Sequence, residues 1–187
     1  SSRSPHLGSR PDVGSFWAPD SYVLGPVSHK RTVSLAVDPS NSALVAVSGW
    51  TSVESNASPE SVHITFNAGK TWSDVTANLP EVTGVCANRA HCGKWRPSAL
   101  LLLPLAKKGS TALLVGTVAG VFATLILEGS PSAAQWVRLG GCTQLPLVLV
   151  GGLSYEPTSD TIVVATMGRG VYILPKASQE VLAALHA

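Results

Sequence analysis

Thr65-Phe-Asn-Ala-Gly-Lys-Thr-Trp72, TFNAGKTW, is the stretch whose reading decides the fold. A tight turn between two antiparallel strands needs a residue free to take positive φ, and Gly69 supplies it. Asn67 can bond its side-chain oxygen to backbone N–H groups inside the turn, and Thr65 and Thr71 can do the same more weakly. Trp72 is expected to pack as a large apolar plug between sheets. The motif therefore reads as scaffold, a turn that joins two strands.

Working outward, three segments line up as a repeat. They are RTVSLAVDPSNSALVAVSGW (Arg31 to Trp50), PSALLLLPLAKKGSTALLVGTVAGVFAT (Pro97 to Thr124) and LVLVGGLSYEPTSDTIVVATMGRGVYIL (Leu147 to Leu174). Each has an apolar strand, a turn at or after Pro39, Pro104 or Pro157, and a second apolar strand ending in small residues. A further strand follows: VHITF, GVFATLI or GVYIL. Asp38-Pro39-Ser40-Asn41 and Glu156-Pro157-Thr158-Ser159-Asp160 are runs of turn formers between β-rich stretches. The repeats start about 50 to 65 residues apart, which is blade spacing with a variable loop, as in a propeller. Only KASQEVLAALHA at the end reads as helix, with Val181, Leu182 and Leu185 on one face.

Composition agrees with a packed domain. The chain has 187 residues, 45% hydrophobic and 13% charged, which excludes a disordered chain. Net charge is +2 without a basic run, and Arg3, Arg10, Lys30 and Arg31 are scattered among Pro and Ser, so no nucleic-acid footprint stands out. The greasiest run, Ala99 to Ala106, is far short of the ~20 residues of a membrane helix and reads as a buried strand. No signal peptide is visible at Ser1 and no Met starts the chain, as in a mature form, a trimmed form or a fragment. Cys86, Cys92 and Cys142 allow one disulfide and one leftover thiol. Cys86 and Cys92 share one short loop, and Cys142 is an alternative partner. A zinc site lacks an obvious fourth ligand, so no metal and no other cofactor is expected.

TFNAGKTW resembles an Asp-box, or BNR repeat, whose pattern is Ser/Thr-x-Asp-x-Gly-x-Thr-Trp. Thr65, Gly69, Thr71 and Trp72 take the family places. Asn67 stands where the family has Asp, keeping the acceptor and dropping the charge. LLVGTVAGVFAT and TIVVATMGRGVYIL resemble the second and third blade strands of sialidase-like, sortilin-like and xyloglucanase-like propellers. The resemblance covers roughly Arg31 to Leu174 and implies an all-β propeller of four-stranded antiparallel blades. In those families the motif lies opposite the ligand face.

The expected strands, A to D from the axis outward, are Val33–Asp38, Ala43–Gly49, Val62–Phe66 and Trp72–Thr76 in the first blade. They are Ser98–Leu103, Ala112–Thr117, Val121–Ile126 and Gln135–Leu139 in the second. In the third they are Val148–Tyr155, Thr161–Thr166 and Val171–Leu174, with no D strand. Residues 1–30 are an N-terminal segment, in which Ser15 to Leu24 can donate a closing strand to the last blade or belong to another partial blade. Residues 31–174 form the blades, and 175–187 a helical tail. Three blades do not close a ring. The expectation is the C-terminal part of a larger propeller, or assembly with other chains.

The B–C and D–A loops share the face where propellers bind. It gathers Trp50, Glu54, Glu81, Arg89, His91, Lys94, Trp95, Arg96 and Arg169. Indoles stack on sugar rings and arginines fork carboxylates, which suits a glycan or an acidic protein partner. Each also has a plainer reading. Trp50 and Trp95 can pack on neighbouring loops, Arg169 can hold backbone carbonyls, and His91 can be an ordinary loop histidine. Asn56-Ala57-Ser58 is a sequon on the same face, and it leans toward secretion or an organelle lumen.

Two functional classes follow. One is a non-catalytic propeller module that binds protein or glycan, as the sortilin-like resemblance implies. The other is a fragment of a glycoside hydrolase, sialidase- or xyloglucanase-like, whose acids lie mostly elsewhere. Such hydrolysis needs two opposed carboxyl groups. Among the acids only Glu54 and Glu81 are expected on the binding face. Tyr155-Glu156 imitates a sialidase pair, but adjacent strand residues point to opposite sides. A scaffold role like that of photosystem assembly factors with related repeats is a third class. No membrane insertion is expected.

Overall fold

The computed structural model describes residues 31–50, 60–84, 95–107, 109–127, 130–140 and 144–186. They form three antiparallel sheets arranged as successive blades. The first holds β1 (Arg31–Val37), β2 (Val45–Trp50), β3 (Glu60–Thr65) and β4 (Ser73–Asp74), side by side in that order. The second holds β5 (Ala99–Pro104), β6 (Thr111–Thr117), β7 (Gly120–Ile126) and β8 (Val137–Arg138). In the third, β9 (Val150–Glu156) pairs with β10 (Thr161–Thr166), and β10 with β11 (Val171–Pro175). The expected third blade without a D strand is thus what the described residues contain. The apolar run at Ala99 is β5, the inner strand of blade 2.

The helical tail is α2 (Ala177–Leu185), whose Ala177 and Val181 are buried and whose Leu182 and Leu185 pack on the core between blades 2 and 3. Strand identities follow the expectations with small shifts at the ends. The D strands are the shortest, two residues each, and each begins just after a tryptophan. Two short elements were not legible: α1 (Leu79–Val82), a single turn with Pro80 at its second position and buried through Leu79, and a 3-10 turn at Pro131–Ala133.

Blade packing starts at the inner strands. Leu100 N–H donates to Ser34 Oγ at 3.0 Å, joining β5 to β1. Ser98 Oγ lies 2.5 Å from Val150 O and 3.0 Å from Gly116 O, joining β5 to β9. A Cβ on Gly116 would sit 2.6 Å from Val150 Cγ1, so only glycine admits this approach.

The turns on one face are tied by their own polar groups, which is why their sequences read so clearly. Asp38 Oδ1 accepts from Ser40 N (2.8 Å), Ser40 Oγ (2.6 Å) and Asn41 N (3.1 Å). Its Oδ2 accepts from Thr111 Oγ1 of blade 2 at 3.2 Å. Glu156 accepts from Thr158 N and from Ser159 N and Oγ, and these bonds lower its carboxyl from the ordinary 4.5 to about 2. In the Thr65–Trp72 turn, Gly69 N and Asn67 N donate to Thr65 Oγ1, and Thr71 N donates to Asn67 Oδ1 at 2.9 Å. Asn67 Nδ2 donates to Thr71 Oγ1 at 2.8 Å, a bond that a carboxylate cannot donate. Gly69 takes φ +87°, as a turn of this kind requires.

One expectation is corrected. The plug between blades is Trp136, 2% exposed, and not Trp72, which is half-buried. Both stand just before a D strand. Trp136 points from blade 2 into blade 1, where its Nε1 donates to Val75 O at 2.8 Å. Trp72 stands opposite Thr65 on the face of blade 1 turned away from blade 2, and its buried Nε1 has no hydrogen-bond partner among the described residues.

Candidate binding face

The B–C turns and D–A connections meet at the face opposite the Thr65–Trp72 turn. Its described floor is held by three devices. Trp95 is the first. Its N–H donates to Glu60 Oε2 at 3.0 Å, and its carbonyl accepts from Val118 N at 3.2 Å. Trp95 thus clamps the start of β3 to the β6–β7 turn, and its indole, 3% exposed, belongs to the core between blades 1 and 2. It offers no open ring face.

Arg138 is the second device, and sequence reasoning missed it. Its Nε donates to Ala119 O (3.3 Å), Nη1 to Gly140 O (2.7 Å) and Nη2 to Leu145 O (2.5 Å). One guanidinium thereby joins the blade 2 turn to the connection entering blade 3. This is the carbonyl-holding role considered for Arg169. The only advance signal is its place two residues after Trp136. The third device is the β10–β11 turn, where Thr166 N and Oγ1 both donate to Gly170 O (3.0 and 2.7 Å). Met167 N donates to Leu149 O at 2.9 Å, which anchors this turn on the neighbouring connection.

What projects from this floor is cationic and apolar. Arg96, at φ +45°, and Arg169 are exposed, as are Met167 and Leu147. Glu81 is also exposed, in the turn α1. Glu60 is the described carboxylate with a direct role in the floor; it is buried at the start of β3. Trp50 ends β2, but its side chain lies outside the described residues. So do Glu54, Asn56, Cys86, Arg89, His91, Cys92, Lys94 and Cys142.

The opposite face accounts for most other described acids. Asp38 and Glu156 lock turns. Asp160 receives Ser178 N (2.9 Å) and Ser178 Oγ (2.8 Å) and so caps α2. Burial pulls the Asp160 pKa up, but the bonds from Ser178 and Tyr155 outweigh it and the net shift is downward. Tyr155 Oη donates to Asp160 Oδ1 at 3.1 Å. Burial, that bond and the nearby carboxylates raise the Tyr155 pKa. The tempting Tyr155-Glu156 pair is therefore split between a helix cap and a turn. Among the described residues no cluster of three or more His, Cys, Asp or Glu is placed to hold a metal ion. No described helix is long and apolar enough to cross a membrane.

Several solved structures resemble this chain. The GH74 xyloglucanase from Xanthomonas campestris is 17% identical, with a TM-score of 0.49, over 79% of this chain and 22% of that one. The Niastella koreensis GH74 enzyme gives 17% identity and 0.49 over 76% and 21%. Sqt1 from Chaetomium thermophilum gives 14% and 0.36 over 78% and 34%. The chain thus spans about a fifth to a third of the length of these proteins. No protein-family model matches it, and no curated protein does. The antiparallel sheets themselves define the class: a set of propeller-type blades with a C-terminal helix.

Proposed function

We propose that this chain is a non-catalytic module of an Asp-box, or BNR, propeller, which binds a protein or glycan on its B–C/D–A face. The observation that carries this reading is the disposition of the described acids. Asp38, Glu156 and Asp160 hold turns or a cap on the other face, and Glu60 is buried against the Trp95 backbone, which leaves Glu81 as the exposed carboxylate described on the binding face and no second one opposed to it. Hydrolysis of a glycoside needs two carboxyl groups facing a sugar across a cleft. The exposed Arg96, Arg169, Met167 and Leu147 are instead binding groups, suited to an acidic and partly apolar surface. Burial of the Trp95 indole removes one sugar platform and tilts the reading toward protein. Arg89, His91 and Lys94 extend the same basic character by sequence.

The test is to incubate the chain with a glycoside panel that includes xyloglucan and sialosides, and to follow reducing ends and binding together. The expectation is no turnover. Any binding should weaken several-fold in the R96E/R169E double variant and fall with added salt. Turnover that disappears in E54Q or E81Q would replace this reading with a hydrolase.

A further inference from the structure

A cavity of about 570 Å³ lies between blades 2 and 3. Leu114, Val121 and Leu139 line one side and Ile162, Val164 and Tyr172 the other, with α2 as an outer wall. It includes Ile173, 67% exposed on β11, and β11 ends its sheet among the described residues. Between blades 1 and 2 the corresponding place holds the buried Trp136. The correspondence is residue by residue. Val75 N donates to Val62 O and Leu139 N to Val121 O, both at 2.9 Å, so Leu139 stands in blade 2 where Val75 stands in blade 1. Val75 receives the indole of the next blade's D strand. Leu139 faces the cavity.

We propose that this groove takes a fourth strand bearing an indole, and that the strand is the chain's own Ser15–Leu24, SFWAPDSYVL. Each described D strand begins just after a tryptophan: Trp72 before Ser73–Asp74, and Trp136 before Val137–Arg138. Trp50 ends β2 and Trp95 sits in a D–A connection, which leaves Trp17 of the five tryptophans. The register carries over. Ser73 faces Ile64 and Asp74 faces His63; Val137 faces Ala123 and Arg138 faces Phe122. Tyr172 of β11 corresponds to Phe122. Trp17 then falls opposite Leu174, Ala18 opposite Ile173 and Pro19 opposite Tyr172.

Proline fits at that place. Val75 N and Leu139 N, three residues after each tryptophan, bond inward. Strand alternation turns the N–H two residues after the tryptophan outward. Pro19 thus lacks only a donor that would face solvent, the edge position where sheets accept proline. Direction agrees as well. A D strand ends on the face where β1 begins; the described ones pair through the third residue after their tryptophan, which corresponds to Asp20, and the eleven residue steps from Asp20 to Arg31 reach up to about 36 Å. Main-chain pairing to the β11 edge and burial of the indole would act together, as in strand addition.

The test is cross-linking in the full chain, with Cys86, Cys92 and Cys142 changed to serine. A18C/I173C should close an intrachain disulfide under mild oxidation, read as a cross-linked peptide from monomer. V163C/I173C, neighbours on β10 and β11, is the positive control. No A18C/I173C bond, or an interchain bond alone, while the control closes would overturn the assignment; the interchain result would give the groove to a second copy. If the cysteine variants do not fold, fluorescence decides. The difference between the parent and W17F should be a blue-shifted, quencher-shielded indole. A solvent-exposed Trp17 signal would overturn the proposal.

Discussion

The two blade interfaces are built alike at the axis and differently at the rim. Between blades 1 and 2, Leu100 N bonds Ser34 Oγ inside, and Trp136 closes the outside with a bond to Val75 O. Between blades 2 and 3, Ser98 reaches Val150 O inside and Gly116 lets the strands touch, yet the outside holds a cavity of about 570 Å³. Inner strands therefore set how blades approach, and the outer strand's aromatic residue decides whether the interface is filled. The same rule explains Trp72. It sits on the outer face of blade 1, the same face as the exposed Val33, Leu35 and Val37 at the other edge of the sheet, with no described blade to enter.

The largest test of this contrast is W136A. Removing a buried indole and its bond should cost about 3–5 kcal/mol in denaturant unfolding, whereas W72A, at a half-buried site, should cost roughly 1–2 kcal/mol. Equal losses would mean that Trp72 is packed as deeply as Trp136. Next comes G116A. Its Cβ would meet Val150 at 2.6 Å, so a loss of about 1–3 kcal/mol is expected from overpacking. A neutral G116A would show that the inner part of the second interface is as loose as its rim.

Smaller effects belong to the turns. N67A removes both the acceptor for Thr71 N and the donor to Thr71 Oγ1 and should cost about 1 kcal/mol. N67D keeps the acceptor, and the Thr71 hydroxyl can turn to donate, so it should stay within about 0.5 kcal/mol of the parent. The least effect is electrostatic. Glu156 has a folded pKa below its ordinary value, so its contribution is present above pH 4.5 and is lost as pH falls toward about 2. Carboxyl NMR should place its midpoint near 2. A midpoint near 4.5 would show that the Ser159 bonds do not hold the turn in solution.

Legibility followed the range of each interaction. TFNAGKTW, Asp38-Pro39-Ser40-Asn41 and Glu156-Pro157-Thr158-Ser159-Asp160 are satisfied by bonds within a few residues, so residue type and order reveal them. Strand order followed from alternation and spacing. Roles on the binding face did not. Trp95 reads as a sugar platform until Glu60, 35 residues away, is seen to hold its N–H. Arg138 reads as one more strand residue until carbonyls of the β6–β7 turn and of the connection entering blade 3 converge on it.

By itself, then, the amino-acid order determined the blades, their turns and a third blade of three strands among the described residues, because these rest on local hydrogen bonding and on the period of strands. Only the tertiary structure decided which tryptophan is a plug, which arginine is a staple and where space remains between blades. Those outcomes depend on which surfaces meet, and contacts between residues far apart in the chain leave no periodic trace in it.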